Sequence, residues 1–505
     1  MSIEIIKQTF RLAKAAREKH EDEISEAYKF TRPNRDIWRT RASDTDRTKI
    51  FDSPAPDSVQ NLVSTILNLL IPQNQQWATL SIREDVKEEI ASDVKRLLDR
   101  ANRTVFKTIR DSNFYIAASE SVTDAVISGC GAIGLYETDT DIEFIGIPTY
   151  QLYFLDDYKG EVDTVFRQHA LSAQYIVENY RNVPDEIKKL SKEAPQKTVT
   201  VTESCMRMTG DKEFTYTVMI GKELTPIFQK KMTTQMFVVF RFGRTIGEVW
   251  GESPVRMALP HIRTINEAQM LVLQAASYAS LGAWQVNSET SVNFGNVKLQ
   301  PGSVVTVDQP LSPIPFAGNF AITDATIQDH RQQIRRMLFN DVILPPEQSP
   351  TMTATEIQIR QAEFYRRLGP YGLRLEQEFL RPVISNLVKR LQMKGAVPEF
   401  VLDRQAFEVI VNSAVKRGIA LSEITRDIQI LQVVSQLGEQ ALANINITKL
   451  ARKILRDGDM SPEVLRDEAE IDLMMEQQQQ QQNVQQVAQQ ILQESQQGNN
   501  QNNQT

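Results

Sequence analysis

The chain contains 505 residues, with 57 Lys or Arg and 64 Asp or Glu, so its formal net charge is −7. This length is enough for about three domains with cores of their own. The negative charge argues against a protein that holds nucleic acid through a general basic excess, and it leaves local basic stripes open. Two cysteines, Cys130 and Cys205, are too few for a disulfide framework and fit a reducing compartment, although a pairing between them stays open.

The sequence has no pattern typical of a targeting or membrane segment. The N-terminus, Met1–Glu23, is charged and amphipathic and lacks the apolar centre of a signal peptide. The longest apolar runs, Leu62–Ile71 and Met270–Ala283, are shorter than the roughly 18 to 20 residues that span a bilayer. We therefore expect no membrane anchor and no membrane partner.

Helical spacing of apolar residues dominates the first part of the chain. It recurs in Ile3–Lys29, Ala55–Leu70 and Glu84–Ile127. Pro56 is well placed to begin the second of these helices, because the first turn does not use the N–H that proline lacks. The spacing predicts a mostly helical N-terminal region.

After Gly134 the pattern changes to short alternating runs, which predict strands in an antiparallel sheet. One helix, Ser172–Tyr180, interrupts them. The predicted strands are Gly134–Thr138, Ile142–Ile147, Leu152–Leu155, Val162–His169, Thr198–Met208, Thr215–Ile220 and Met236–Phe242. Together with the helices they predict an α+β fold that is predominantly helical.

Beyond the strands, Trp250–Pro254 breaks the pattern and precedes a helix that is rich in Ala, Leu and Met, Val255–Leu281. Short β segments are predicted at Ala283–Val286 and Ser303–Val307. A second helix, Ile322–Val342, then ends before a proline pair, because proline removes a backbone donor and restricts the residue before it.

The proline-rich segment Pro345–Met352 predicts a stiffened loop between two helices. Thr353 and Glu356 have the spacing of a capping box, in which the hydroxyl and the carboxylate satisfy backbone donors at the start of a helix. Two Glu–Arg pairs four residues apart, Glu356 with Arg360 and Glu363 with Arg367, favour that helix. Bends are expected at two prolines within the long helix, Pro370 and Pro382.

More helices are predicted from Pro398 to about Arg466, and the chain then becomes rich in Gln and Asn. The composition from Gln477 to Thr505 suggests disorder or self-association. Val484, Val487 and Ile491 nevertheless form a short apolar stripe that would suit a helix packed against identical neighbours. Both interpretations of the tail stay open.

Gly129–Gly134 matches the G-x-G-x-x-G pattern of dinucleotide-binding proteins. That function needs a strand before the motif and a helix after it, whereas here a predicted helix ending at Ser128 precedes the motif and a strand follows. We therefore interpret the segment as a tight helix-to-strand turn. No Walker A sequence occurs in the chain, so we expect neither nucleotide hydrolysis nor a nucleotide cofactor.

Acidic residues alternate at Glu137, Asp139, Asp141 and Glu143, a pattern that would place carboxylates on one face of a strand for a hard cation. A hairpin turn is the favoured interpretation, because Asp and Thr interrupt the strand pattern there. The four histidines, His20, His169, His261 and His330, are scattered without metal-ligand spacing. We expect no metal, no cofactor and no catalytic residues.

The helix Ile322–Val342 carries mixed charges, among them Arg331, Arg335 and Arg336. These arginines fit either a solvated helix face or a lining that touches DNA phosphates. Any DNA contact by these arginines is expected to be loose, because each neutralised phosphate adds affinity and this helix carries few cations among mixed charges.

The order of these elements resembles the portal, or head-to-tail connector, proteins of tailed bacteriophages, especially short-tailed phages similar to T7. Four stretches carry the resemblance: Phe51–Pro56 through Pro72, Trp250–Pro254, Thr353–Glu356 and Leu368–Pro370. The resemblance covers residues 3 to 395. It implies a portal fold with wing, stem, clip and crown.

The resemblance implies a ring of about twelve identical subunits at one capsid vertex, closed by one repeated heterologous contact. The segments would be a wing at 1–250, stem helices at 251–281 and 321–341, a clip at 282–320, a tunnel loop at 342–353, a long bent wing helix at 354–397, a crown at 398–470, and a tail at 471–505 that is disordered or a short helical barrel. In the tunnel loop, the DNA-facing residues would be Glu347, Gln348, Ser349, Thr351 and Met352.

The implied function is packaging, retention and ejection of the double-stranded DNA genome, without sequence specificity. The implied partners are the terminase large subunit, which would carry the ATPase, then a tail adaptor protein, and the major capsid and scaffold proteins. The location would be the virion, after synthesis in the host cytoplasm. The alternatives are a non-portal structural or scaffold virion protein and a nucleotide-binding enzyme that uses Gly129–Gly134.

Overall fold

The computed structural model describes residues 3–33, 50–73, 75–82, 88–137, 142–208, 213–281, 284–285, 312–313, 320–343, 354–397, 407–411, 427–436 and 450–451. The chain divides into two units, Met1–Val415 and Lys416–Thr505. In the second unit the described residues include a helix at 427–436. The predicted tunnel loop, 342–353, is described only at residues 342 and 343, which are helical. Residues 344–353, the segment Ser303–Val307 and the Gln-rich tail lie outside the described residues.

The first unit begins with the predicted helices. They are α1 (Ile3–Glu18), α2 (Glu21–Thr31), α3 (Pro54–Leu70), α4 (Glu88–Asp111) and α5 (Phe114–Ser128). A strand that was not predicted, β1 (Ala78–Ile82), lies between α3 and α4. Helix α3 begins at Pro54 rather than at Pro56, and a proline occupies its first turn as expected.

Two antiparallel sheets follow, as predicted. The three-stranded sheet has the order β3-β2-β9, and the five-stranded sheet has the order β4-β5-β6-β7-β8. Their strands are β2 (Cys130–Glu137), β3 (Ile142–Gly146), β4 (Leu152–Asp156), β5 (Val162–Ser172), β6 (Thr198–Met206), β7 (Phe214–Ile220), β8 (Thr225–Met232) and β9 (Phe237–Arg241).

Three elements around the larger sheet differ in how well the sequence predicted them. Helix α6 (Ala173–Asn179) was predicted, and the Ser172 hydroxyl accepts a bond from the Tyr175 amide at its start. Helix α7 (Asp185–Glu193) was missed because only two apolar residues among its nine, Ile187 and Leu190, mark its inward face. Strand β8 was missed because three polar residues, Gln229–Lys231, interrupt its alternation at the edge of the sheet.

The remaining helices follow the two sheets along the chain. They are α8 (Pro254–Leu281), α9 (Phe320–Met337), α10 (Asn340–Ile343), α11 (Ala354–Leu375), the π-helical segment Glu376–Leu380, and α12 (Arg381–Met393). The two-residue strands β10 (Trp284–Gln285) and β11 (Ser312–Pro313) pair with each other. The rings of Phe240 and Phe379 stack with centroids 4.3 Å apart, so the π-helical segment is anchored on β9.

The expectation of one uninterrupted helix over Ile322–Val342 is wrong. Helix α9 ends at Met337, and Phe339 adopts a positive φ of 61° before α10 begins. Helix α11 continues through Pro370, whereas the proline at 382 follows the π-helical segment at the start of α12. The two prolines at which bends were predicted therefore occupy different local structures, one inside a helix and one in a first helical turn.

The expectation that residues after 397 are helical is also wrong in one place. Residues Phe407–Val411 form strand β12, which pairs antiparallel with β1. Phe407, Val409 and Val411 recur every second residue, which is the period of a strand. Because this strand belongs to the first unit, part of the segment assigned to a crown joins the N-terminal region.

Candidate functional site

Helix α8 begins at a cap that also joins it to α5. The Ser253 hydroxyl oxygen accepts bonds from the amides of Val255 and Arg256, each at 3.1 Å. The same hydroxyl lies 2.7 Å from the carbonyl oxygens of Val126 and Ile127 in α5. The Ser-Pro sequence at 253–254 therefore starts the helix and fixes its origin on the core.

Helices α8 and α9 pack against each other through apolar side chains. Ile262 and Ile265 of α8, Ile327 and Ile334 of α9, and Leu338 directly after α9 are at most 3% exposed and share one core. This burial follows the helical spacing of the isoleucines and leucine in each segment. The pair is therefore held mainly by side-chain packing.

Two histidines that are far apart in sequence meet between these helices. His261 Nδ1 and His330 Nδ1 lie 2.9 Å apart, so one ring donates a proton and the other accepts it. Folding therefore joins two positions 69 residues apart, a contact that the spacing of the histidines in the sequence did not indicate.

Ion pairs connect the two helices to the N-terminal region. Arg263 pairs with Glu26 in α2, and Arg331 of α9 donates to Asp52 with Nε 3.1 Å from Oδ2. The Arg256 guanidinium lies 2.5 Å from Glu23 and 3.1 Å from His20 Nδ1. These pairs position both helices relative to α2 and the segment that precedes α3.

The predicted channel arginines differ in their surroundings. Arg331 donates to Asp52, and the side chains of Arg335 and Arg336 are exposed on α9. Glu356 lies in the first turn of α11, and its predicted cap partner Thr353 is outside the described residues, as are the five tunnel-loop residues.

The Gly129–Gly134 segment is a packing turn, as predicted. Gly129 ends α5 with a φ of 94°, and strand β2 begins at Cys130. A Cβ on Gly129 would lie 2.3 Å from the Gly251 carbonyl oxygen, and one on Gly131 would lie 2.3 Å from the Ser121 carbonyl oxygen. The glycines are needed because two backbones approach each other closely.

The acidic hairpin residues behave as the favoured interpretation predicted. Strands β2 and β3 pair antiparallel with Glu137 opposite Ile142, and Asp139 and Asp141 lie outside the described residues. Among the residues that the structure describes, no group of three or more His, Cys, Asp or Glu side chains is placed to hold a metal.

A buried arginine connects the small sheet to the late helices. Arg241 of β9 is 0% exposed and donates to both carboxylate oxygens of Glu378, with Nε and Nη2 each at 3.0 Å. Its Nη1 lies 3.3 Å from Asp156, which also accepts from Arg244 at 2.8 Å. Burial favours the neutral form, but the bonds and the charge of Glu378 raise the pKa of Arg241 above its ordinary value.

A buried carboxylate occupies the centre of the five-stranded sheet. Glu203 is 4% exposed and accepts bonds from Tyr216 at 2.8 Å and Tyr136 at 2.9 Å. Arg167 Nη1 and His169 Nε2 lie 3.7 and 3.6 Å from the same carboxylate, beyond ordinary hydrogen-bond distance. Burial raises the pKa of Glu203, but His169 and Arg167 outweigh it and hold that pKa below its ordinary value.

The two cysteines are free and fully buried, which resolves the pairing left open by the sequence. Burial raises the pKa of Cys130 and of Cys205 to about 12. Because the thiolate is the reactive form, both thiols are chemically inert at neutral pH.

Sequence reasoning missed the buried charges. Arg390 of α12 donates to the Leu135 carbonyl oxygen at 2.8 Å, and Arg17 of α1 donates to that of Tyr150, also at 2.8 Å. The sequence alone does not distinguish these arginines from exposed arginines of a helix, because their partners lie more than 100 residues away. The sole sequence signal was the position of Arg17 among apolar residues of an amphipathic helix.

The buried charges and close glycine contacts of the first unit join distant elements to one another. The family model described as bacteriophage head to tail connecting protein matches residues 4–465. The chain therefore belongs to the bacteriophage head-to-tail connecting protein family.

Curated relatives agree with this family. The portal protein of Salmonella phage epsilon15 is 20% identical over 458 residues, which is 85% of this chain and 82% of that protein. The portal protein of Escherichia phage T7 is 21% identical over 468 residues, covering 88% of this chain and 85% of that protein. A probable portal protein of Bordetella phage BPP-1 is 25% identical over 245 residues, 46% of this chain and 44% of that protein. No described helix is both long and apolar enough to cross a membrane.

Proposed function

We propose that this chain is a portal protein, the ring at one capsid vertex through which double-stranded DNA is packaged, retained and ejected. The observation that carries the proposal is the family match over residues 4–465, together with full-length similarity to proteins named portal proteins. These matches favour a portal over a non-portal scaffold protein.

In this proposal α8 and α9 are the stem helices, and the segment between them is the clip. The wing comprises residues 1–250 with the long helix 354–397, to which β12 adds a strand, and the remaining C-terminal residues form the crown and tail. The packed α8–α9 pair and the two-residue β10–β11 pairing support this assignment.

The channel contacts in this proposal are loose. Arg335 and Arg336 face phosphate from α9, and the exposed Asp324 and Asp329 on the same helix keep the lining mixed in charge. Few neutralised phosphates mean low affinity, which allows DNA to slide. The tip residues of the tunnel loop add steric and polar contact.

The proposed partners follow from this role. About twelve copies of the chain form the closed ring. A terminase docks on the clip and supplies ATP hydrolysis, a tail adaptor later replaces it, and the capsid shell surrounds the wing. No catalytic step is assigned to this chain, and the finished protein is placed at the head–tail junction of the virion.

Negative-stain electron microscopy of the purified full chain, alone and co-expressed with the scaffold protein of its phage, tests the proposal. We expect rings of about twelve subunits with a central hole wide enough for duplex DNA in at least one preparation. Filaments, or compact closed dimers in both preparations, would contradict the portal assignment.

A further inference from the structure

A basic pocket lies between helix α1 and the turn that joins β7 to β8. Its volume is about 830 Å³, and Lys7, Arg11, Lys14 and Lys222 line it together with one carboxylate, Glu223. We call this feature the α1 pocket. Pockets of this volume suit a compact ligand or a few side chains of a peptide rather than the length of a DNA duplex.

Helical spacing brings the three α1 cations together. Lys7, Arg11 and Lys14 are separated by four and three residues, so they form one stripe along the helix. Within the described part of the chain, the ion pair formed by this stripe is the long contact of Lys14 with Glu18 at 3.9 Å. The concentration of cations contrasts with the net charge of −7 of the whole chain.

The opposite wall is a turn with fixed geometry. Gly221 has a φ of 73° and Leu224 a φ of 54°, and the Gly221 amide donates to the Thr200 carbonyl oxygen at 3.0 Å. Lys222 and Glu223 are exposed on this turn. Since the turn is fixed to β6, Lys222 is held facing the α1 stripe.

The floor of the pocket is apolar and well supported. Phe10 and Leu224 line it, and both belong to a small core beneath α1. The Phe10 ring lies 5.1 Å from that of Phe166 and 5.2 Å from that of Tyr153. A ligand that combines negative charge with one apolar group would use both the rim and the floor.

We propose that the α1 pocket binds an acidic peptide segment of a partner protein, with an apolar side chain over Phe10 and Leu224 and carboxylates near Lys7, Arg11 and Lys222. An anionic partner is proposed because it complements the charge of the four lysine and arginine side chains that line the pocket. The apolar floor favours a peptide over a nucleic-acid backbone, which presents phosphate continuously. This proposal does not depend on the portal role.

Fluorescence polarisation with a labelled Glu-Glu-Leu-Glu-Glu peptide tests the proposal. The measurement is made at low salt, which preserves charge contacts. The full chain with the three substitutions Lys7→Gln, Arg11→Gln and Lys222→Gln should bind about tenfold more weakly than the unmodified chain. The matched control carries Lys188→Gln, Lys189→Gln and Lys192→Gln on α7, which removes the same charge from a helix without buried residues and should bind normally. Lys222→Gln, at an exposed turn, is a single variant that spares folding and should weaken binding severalfold.

A second peptide, Glu-Glu-Ser-Glu-Glu, tests the apolar floor and should bind severalfold more weakly than the leucine peptide. Equal loss of peptide binding in the triple variant at Lys7, Arg11 and Lys222 (the α1 variant) and in the triple variant on α7 would overturn the proposal. The peptide would then be attracted by the net charge of the protein and not by the α1 pocket. It would also fail if the peptide did not bind the unmodified chain, or if the α1 variant lost binding to a labelled DNA duplex and kept its affinity for the peptide. A changed oligomeric state of the α1 variant would instead assign the pocket to contacts between copies.

Discussion

The buried charged residues of this chain act where two elements meet. Arg241 joins β9 to the π-helical segment, Arg390 joins α12 to β2, and Glu203 joins β6 to its neighbours. Breaking a buried pair by removing one partner leaves an uncompensated charge in the interior. These positions should therefore be sensitive to substitution although none of them touches a ligand.

Glu203 predicts a pH dependence of the five-stranded sheet. Its pKa is lower in the folded chain than in the unfolded one, so its stabilising contribution is present above the unfolded pKa of about 4.3. That contribution disappears as the pH falls through the lowered folded pKa. Amide hydrogen exchange in β6 and β7 should therefore accelerate more steeply below about pH 4 in the unmodified chain than in Glu203→Gln.

At pH 7 the Glu203→Gln substitution should weaken protection of β6 and β7 by about 3 kcal/mol, because it leaves Arg167 without its buried partner. Glu213→Gln in the same sheet is the control, since Glu213 forms a 3.8 Å contact with exposed Lys231. Equal acid sensitivity of Glu203→Gln and the unmodified chain would contradict the assigned role of this carboxylate.

Arg241→Met should destabilise the joint between β9 and the π-helical segment by about 3 to 5 kcal/mol, because Glu378 and Asp156 would lose a buried partner. Arg374→Met is matched in chemistry but removes a half-buried contact to the same Glu378, so about 1 kcal/mol or less is expected. Amide hydrogen exchange of residues 374–384 measures the loss of stability in each variant. The interpretation fails if the two variants have the same effect.

At the scale of elements, the connection from α9 to α10 is the most constrained junction. Phe339 adopts a positive φ, which is strained for a bulky residue, and its ring packs near that of Tyr371 at 5.8 Å. Arg367 of α11 donates to both oxygens of Asp341, at 3.0 and 2.9 Å, and to the Arg336 carbonyl oxygen. Arg367 was predicted to pair with Glu363 in its own helix, but it contacts Asp341 of α10 instead.

Arg367→Gln should therefore loosen α10 while α9 and α11 stay folded. The lost bidentate contact is partly exposed, so we expect about 1 kcal/mol of lost protection for residues 338–343 in hydrogen exchange. Arg366→Gln, which changes the exposed neighbouring arginine, is the control. Unchanged exchange in Arg367→Gln would show that apolar packing around Phe339 is sufficient to hold the junction.

At the scale of the whole molecule, the proposed portal function depends on assembly of identical chains into a ring. An acidic chain of 505 residues repels its own copies, so a ring needs large complementary contacts, and cyclic closure reuses one contact around the axis. An acidic ring also repels DNA from its walls, which favours transport over tight binding.

Deletion of Gln348–Thr351 tests the assigned tunnel loop. Rings should form normally, because assembly in the proposed portal relies on other surfaces, while the amount of packaged DNA should fall about tenfold or more through loss of contact in the channel. Quantitative PCR of nuclease-protected DNA in complemented phage measures this. Replacing the same four residues with glycines separates loop length from loop chemistry, and a failure to form rings would mean that the loop is misplaced.

The sequence by itself determined the local elements and, through the order of its motifs, the family. Alternation predicted strands such as Val162–His169, which the structure extends to Ser172, and a Ser-Pro start predicted helix α8, because period and capping are encoded in neighbouring residues. The sequence likewise predicted that Gly129–Gly134 connects a helix to the strand after it. This order argued against a dinucleotide-binding turn, which needs a strand first and a helix second. The family match over residues 4–465 confirmed the resemblance drawn from those motifs.

Tertiary structure decided which distant residues meet. The His261–His330 contact, the Arg241–Glu378 pair and the pairing of β12 with β1 each join positions more than 60 residues apart. No periodicity within one segment reports such a partner, because packing of whole elements brings it into place. The same reason explains why the α1 pocket was not foreseen, since its walls come from the N-terminal helix and a turn more than 200 residues later.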